Sequence, residues 1–141
     1  MRQQVLLDTG PLVALVNRRD RFHQWVKTEW EQIEPPLLTC EAVITEASFL
    51  LSSVYGGQKA VMSLIERGVV QIPFRLEEEV ELVGELLDRY QSIPMSLADA
   101  CMVRMAERYT SSYVLTIDSD FNIYRKQRNQ LIPVIMPSND R

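Results

Sequence analysis

Four carboxylates in this chain stand where strand-like runs hand over to helix-like ones: Asp8, Glu46, Asp99 and Asp118. Asp8 ends the apolar run Val5-Leu6-Leu7, and Asp118 ends Tyr113-Val114-Leu115-Thr116-Ile117. Glu46 and Asp99 each lie early in a helical stretch with apolar neighbours. In an α/β domain such junctions converge on one edge of the sheet. Acids gathered there repel by roughly 3 kcal/mol per pair at about 5 Å in an effective dielectric near 20. A cluster of this kind persists by taking up protons or by binding cations. The cation reading makes the chain a metal-dependent enzyme.

Each acid also has a plainer use. Asp8 suits the cap of a helix that follows a strand, but Thr9 fills that role equally well. A carboxylate ending a buried parallel strand is better explained by a ligand. Ser96-Leu97-Ala98-Asp99 has the form of a capping box. On the helical wheel, however, Arg104, Glu107 and Arg108 gather on one side while Asp99 projects away from them, among Met102, Val103 and Ala106. A carboxylate on that side needs a partner, and a metal is one. Glu46 falls at the border of the stripe Val43, Ile44, Ala47, Leu50, Leu51 and Val54, where a solvated glutamate is as good an account as a functional one. Asp118 or Ser119 can cap the short helix that follows the strand, and Asp120 suits its first turn. Asp118 is preferred over Asp120 as the fourth acid because it stands at the strand end, and the choice between them stays open.

The elements that must position these acids alternate between strand and helix periods, the pattern of a parallel sheet covered on both faces. Strands are expected at 4–7, 37–39, 69–72, 113–117 and 131–135. Helices are expected at 12–17, 22–33, 41–54, 58–66, 77–90 and from Ser96 to about Tyr109. Thr9-Gly10-Pro11 reads as a turn into the first helix, Pro35-Pro36 stops the second, and Gly68 stops the fourth. The tail Pro137-Ser138-Asn139-Asp140-Arg141 reads as loose. No internal repeat or interdomain linker interrupts this order, so one domain over 1–141 is expected.

Composition narrows the class. The 141 residues are 46% hydrophobic and 24% charged, ordinary values for a globular protein able to build one core. No apolar run reaches the length of a membrane span. Met1-Arg2-Gln3-Gln4 leads straight into a strand, which leaves no room for a signal peptide. Cys40 and Cys101 are far apart in apolar surroundings and read as buried free thiols of a reducing compartment, with the cytoplasm as the expected location. Net charge is −4, from 15 basic and 19 acidic residues, which argues against a generic basic coat for nucleic acid but not against an enzyme acting on it. His23 is the sole histidine, so neither a Ser-His-Asp triad nor a histidine-rich zinc site can be assembled. It is placed at the surface beside Trp25. Gly56-Gly57 lacks the Lys-Ser or Lys-Thr of a phosphate loop. Phe22, Trp25 and Trp30 either anchor the core or offer a surface to a second copy or another protein.

Taken together, Leu6-Leu7-Asp8-Thr9, Thr45-Glu46, Leu97-Ala98-Asp99-Ala100 and Leu115-Thr116-Ile117-Asp118-Ser119-Asp120-Phe121 resemble the PIN-domain nucleases, and among them the VapC-type toxins of bacterial toxin–antitoxin modules. The resemblance covers nearly the whole chain, and it rests on the order and spacing of these segments together. It implies a three-layer α/β/α domain whose parallel sheet has the order 3-2-1-4-5. It implies an endoribonuclease dependent on Mg²⁺ or Mn²⁺, with Asp8, Glu46, Asp99 and Asp118 as the acidic site and RNA as substrate; it does not transfer a partner, and an antitoxin protein and a homodimer stand as candidates. Thr9 and Thr116 match the family's small hydroxyl residues after the first acid and before the fourth.

On this reading a bound divalent ion activates water for phosphodiester hydrolysis, leaving a 5′-phosphate and a 3′-hydroxyl. Arg18, Arg19 and Arg21 after the first helix, with Arg125, Lys126 and Arg128 after the fourth strand, are the candidate groups for drawing in RNA. Solvated surface is an equal account of any one of them. Two other classes remain. A PIN-like domain without catalysis would use the acids for folding or partner contacts. A phospho-acceptor receiver domain ranks lower, because Asp8 stands alone and no lysine follows Ile135.

Overall fold

Burial of short β-branched and leucine runs builds the sheet first. In the computed structural model, which describes residues 4–138, β1 (Gln4–Leu7) is covered from Val5 onward. It leads into α1 (Thr9–Val16) and α2 (His23–Gln32). Strand β2 (Leu37–Leu38), α3 (Glu41–Leu50), α4 (Gly57–Glu66) and β3 (Val70–Gln71) follow. Then come α5 (Leu76–Arg89), α6 (Leu97–Arg108) and β4 (Ser112–Leu115). A 3₁₀ turn at Ser119–Asn122 precedes β5 (Arg125–Lys126), β6 (Gln130–Leu131) and β7 (Val134–Ile135).

The main sheet is parallel throughout, in the order β3-β2-β1-β4-β7. Helices flank it in a three-layer α/β/α arrangement, with α1 packed on α2 and α3, and α5 on α6. Among the described residues no helix is long and apolar enough to cross a membrane. The order is the expected one, with β7 in the fifth place. The last strand itself is shorter than expected. Leu131 leaves the expected run and, with Gln130 before it, pairs antiparallel with Arg125 and Lys126, and only Val134–Ile135 joins β4. Pro133 lies between the two segments and has no N–H to give to a ladder. Gln127 and Arg128 turn the hairpin at φ of 49° and 75°, without the glycine that would have marked it in the sequence.

Other boundaries move for local reasons. Helix α1 starts three residues early, taking Thr9 and Gly10 into its first turn ahead of Pro11. Helix α3 stops at Leu50, and the Ser52 hydroxyl donates to the Phe49 carbonyl at 2.8 Å as the chain turns. Phe22, Trp25 and Trp30 are half-buried, with both tryptophans packed on the core. The large apolar side chains left most exposed are elsewhere, at Tyr55, Phe49, Leu131 and Val80. Cys40 and Cys101 are free and buried. The tail expected to be loose lies mostly at 139–141, outside the described residues.

Candidate metal-dependent active site

Strand register brings the first and last acids together. Pairing of Leu7 with Leu115 sets Asp8 beside Thr116, and the Asp8 N–H donates to the Leu115 carbonyl at 3.1 Å. The Thr116 hydroxyl donates to Asp8 Oδ2 at 2.7 Å and accepts from the Asp118 N–H at 2.9 Å. One buried hydroxyl therefore fixes both the Asp8 side chain and the backbone that presents Asp118. Asp8 sits at the N-cap position of α1 but makes no side-chain capping bond, so capping does not explain it. Its carboxyl is pushed up to about 7, chiefly by burial and further by the charges of Asp99 and Asp118. Hydrogen bonds from Thr116 and the Thr9 backbone hold it back.

Asp99 combines the two uses weighed for it. Its N–H donates to Ser96 Oγ at 3.0 Å, and Asp99 Oδ2 accepts a long contact from the Ser96 N–H at 3.5 Å, completing a capping box. The same Oδ2 accepts from the Tyr124 hydroxyl at 3.0 Å. Burial pushes the Asp99 carboxyl above its ordinary range, with Asp118 adding to the rise against the Tyr124 and Ser96 bonds. Glu46 projects from α3 and accepts from the Thr9 hydroxyl at 2.8 Å, which ties α3 to the start of α1. Asp118 caps the 3₁₀ turn by accepting from the Asp120 N–H at 2.9 Å.

These groups line one cleft of about 460 Å³, with Asp8, Thr9, Glu46, Ser96, Asp99, Asp118 and Asp120 on its walls and no lysine or arginine among them. All four expected acids are thus brought together at the carboxyl edge of the sheet, and Asp120 shares the cleft with Asp118. The donor set is hard oxygen, which suits Mg²⁺ or Mn²⁺ over zinc. Among the described residues, no three acidic, thiol or imidazole groups are already close enough to enclose an ion. Waters and a substrate phosphate would complete the shell of an ion held by these carboxylates.

The basic candidates are placed differently. Arg125 Nη1 donates to the carbonyls of Asn122, Ile123 and Tyr124 at 2.7, 2.9 and 3.1 Å, which ties it to the end of the 3₁₀ turn. Lys126 is buried. Neither Arg125 nor Lys126 is among the residues that line the acidic cleft. Arg18 and Arg19 line a separate groove past the end of α1. The Arg21 guanidinium lies 4.9 Å over the Phe22 ring. His23 is half-buried, not at the surface, and its Nδ1 donates to the Ala14 carbonyl at 2.7 Å.

Sequence reasoning missed Tyr124. Its buried ring meets Tyr90 and Phe121 edge-on, at centroid distances of 5.1 and 5.2 Å. Burial, followed by the charge and hydrogen bond of Asp99, pushes the phenol up and keeps it a donor. Nothing in Ile123-Tyr124-Arg125 distinguishes this tyrosine from a core anchor.

Known proteins share both the sequence pattern and the shape. Ribonuclease VapC26 of Mycobacterium tuberculosis (strain ATCC 25618 / H37Rv) is 24% identical over 116 residues, covering 81% of this chain and 86% of that protein. The crystal structure of Mycobacterium tuberculosis VapC20, a sarcin-ricin loop cleaving toxin, superposes with a TM-score of 0.77 at 23% identity. It covers 85% of this chain and 94% of its own, and shows the same fold. The PIN domain family matches residues 5–127, which span β1 to the end of β5 and include all four acids. The chain belongs to the PIN domain family.

Proposed function

We propose that this protein is an endoribonuclease dependent on a divalent cation, Mg²⁺ or Mn²⁺, and that it is the toxin of a toxin–antitoxin module. The observation that carries the reading is the convergence of Asp8, Glu46, Asp99 and Asp118 on one cation-free cleft in a PIN-family chain. The likeness to a ribonuclease and to a loop-cleaving toxin supports RNA as the substrate and an antitoxin as the protein partner. It also supports action in the cytoplasm.

Asp8, Asp99 and Asp118 are the groups that would hold the ion, which would bring positive charge to the scissile phosphate and make a water more acidic. Thr116 holds Asp8 Oδ2, and Tyr124 holds Asp99 Oδ2, so the carboxylates meet the substrate already oriented. Glu46, steadied by Thr9, is available to orient the attacking water and accept its proton. Hydrolysis by water leaves a 5′-phosphate and a 3′-hydroxyl. A route through the 2′-hydroxyl needs an acid–base pair, and the imidazole of His23 is engaged with Ala14 on α1.

A binding domain without catalysis is the competing reading. It draws on the hydrogen bonds that already engage each acid: Thr116 to Asp8, Thr9 to Glu46, Tyr124 to Asp99, and the Asp120 backbone to Asp118. Incubation with single-stranded RNA in Mg²⁺ or Mn²⁺, with and without EDTA, separates the two. Chelator-sensitive cleavage that disappears in Asp8→Asn supports the enzyme. Cleavage that persists in Asp8→Asn removes Asp8 from the site, and no cleavage by the native chain in either metal favours the binding domain.

A further inference from the structure

A second cleft begins where α1 and α3 end. The Thr9–Glu46 hydrogen bond joins the two helices at the acidic cleft. At their far ends, Val16, Asn17, Arg18 and Arg19 face Ser53, Val54 and Tyr55 across a groove of about 520 Å³. From Thr9 to Asn17 the helix rises about 12 Å. The two helices therefore run side by side from the acids to this groove. A second hollow of about 480 Å³ adjoins it, shares Ser53, Val54 and Tyr55, and adds Lys59.

Three features of this end point to one kind of ligand. Arg18, Arg19 and Lys59 line the two hollows with no carboxylate among the lining residues, in a chain of net charge −4. None of the ion pairs between described residues involves these three. Tyr55 is fully exposed between them. The turn that presents it is fixed. Gly56 takes φ of 72°, which a side chain would strain, and a Cβ on Gly57 would meet Leu51 Cβ and the Leu51 carbonyl at 3.1 Å. The Gly57 N–H donates to the Val54 carbonyl at 2.9 Å, and the Gln58 amide donates to the Ser48 carbonyl at 2.8 Å. A preset aromatic face flanked by cations accepts a nucleobase and its phosphates.

We propose that Tyr55, Arg18, Arg19 and Lys59 form a subsite for single-stranded RNA, in which a base stacks on Tyr55 and neighbouring phosphates lie against the three cations. The subsite rests on the nuclease reading only for its purpose: it holds the strand about three stacked nucleotides from the acids, at ~3.4 Å per nucleotide. It accounts for Arg18 and Arg19 lying away from the acidic cleft. They act on the flanking strand, not on the phosphate that is cut.

Fluorescence anisotropy of an end-labelled single-stranded RNA of about twelve nucleotides tests this, in EDTA so that no strand is cut. Tyr55→Ala is expected to weaken binding roughly five- to a hundredfold, and Tyr55→Phe, which keeps the ring face, to retain it. The Arg18→Ala/Arg19→Ala double variant is expected to flatten the slope of log affinity against log salt by roughly 1.4, for two lost phosphate contacts. With Mn²⁺ present, Tyr55→Ala should raise KM on the long RNA, leave kcat unchanged, and cut an oligonucleotide of about three nucleotides like the native protein. Native affinity in Tyr55→Ala overturns the subsite. The same holds if native protein does not bind the RNA, or if Tyr55→Ala changes only the oligomeric state in size-exclusion chromatography, which would assign the groove to a protein partner. Binding that depends on Tyr55 without any metal-dependent cleavage leaves the subsite standing and removes the nuclease reading. Cleavage that ignores Tyr55 does the reverse.

Discussion

Helix α6 serves two carboxylate regions built on opposite terms. Toward its C-terminal end, Arg104 Nε and Arg108 Nη1 each donate to the buried Glu79 at 2.6 Å, and Arg104 also reaches Glu107 at 3.2 Å. Burial pushes the Glu79 carboxyl up, but the two guanidinium groups outweigh it and hold the group below its usual range. At the N-terminal end, Asp99 joins Asp8, Glu46 and Asp118 in a cleft lined by no cationic side chain, and the Asp8 carboxyl is pushed the other way, to about 7. The same helix shows how this chain neutralises a carboxylate needed only for packing. In the cleft no lysine or arginine among the described residues plays that part.

Asp8→Asn probes that difference hardest. Loss of a group that holds the ion should lower RNA cleavage about a thousandfold or more, the several kcal/mol attributed to charge stabilisation by a metal. In EDTA its melting temperature should equal or exceed that of the native chain, because a buried repelling charge has gone. A fall in melting temperature as large as that for a Glu79 variant would collapse the distinction. Glu79→Ala should cost about 3 kcal/mol in urea unfolding, by leaving Arg104 without its buried partner, while the folded fraction still cleaves RNA.

The pH dependence of the metal-free protein separates the regions by sign. Glu79 has a lowered folded-state pKa, so its stabilisation is present above the unfolded value of about 4.5 and is lost as pH falls through the folded value. Asp8 has a raised one, so the folded state holds an extra proton between about pH 4 and 7, and stability from this group declines as pH rises through about 7. Urea midpoints measured in EDTA should fall as pH drops below about 4.5 and also as it rises toward about 7, and Asp8→Asn should remove only the second fall.

Smaller effects sharpen the comparison. Mn²⁺ at a hundred times its Kd should add about 2.7 kcal/mol of stability, read as a higher melting temperature, and Asp99→Asn should shrink that gain while Glu79→Gln does not. An unchanged melting temperature across millimolar metal would refute the ion site. Thr116→Val, which removes the hydroxyl that orients Asp8, should weaken metal binding by about ten- to a hundredfold in calorimetric titration.

Asp8, Asp99 and Asp118 were legible in the sequence because each breaks a pattern: two end apolar strand runs, and one projects away from the charged side of its helix. The sheet order was legible through the family resemblance. What stayed hidden depends on distances that no periodicity encodes. Tyr124 becomes a partner of Asp99 only after a 3₁₀ turn and a separation of 25 positions. Lys126 reads as solvated beside Arg125 and Gln127, yet the hairpin that its turn residues make without glycine buries it. Glu79, one of three glutamates opening α5, looks like its neighbours until α6 supplies two arginines.

The bond between Thr116 and Asp8 spans 108 positions. During translation Asp8 leaves the ribosome long before Thr116, because synthesis runs from the N-terminus. A nascent chain short of β4 has nothing to pair with the open side of β1 and cannot complete the cleft. The growing polypeptide thus holds no completed acidic cleft until most of its length has emerged.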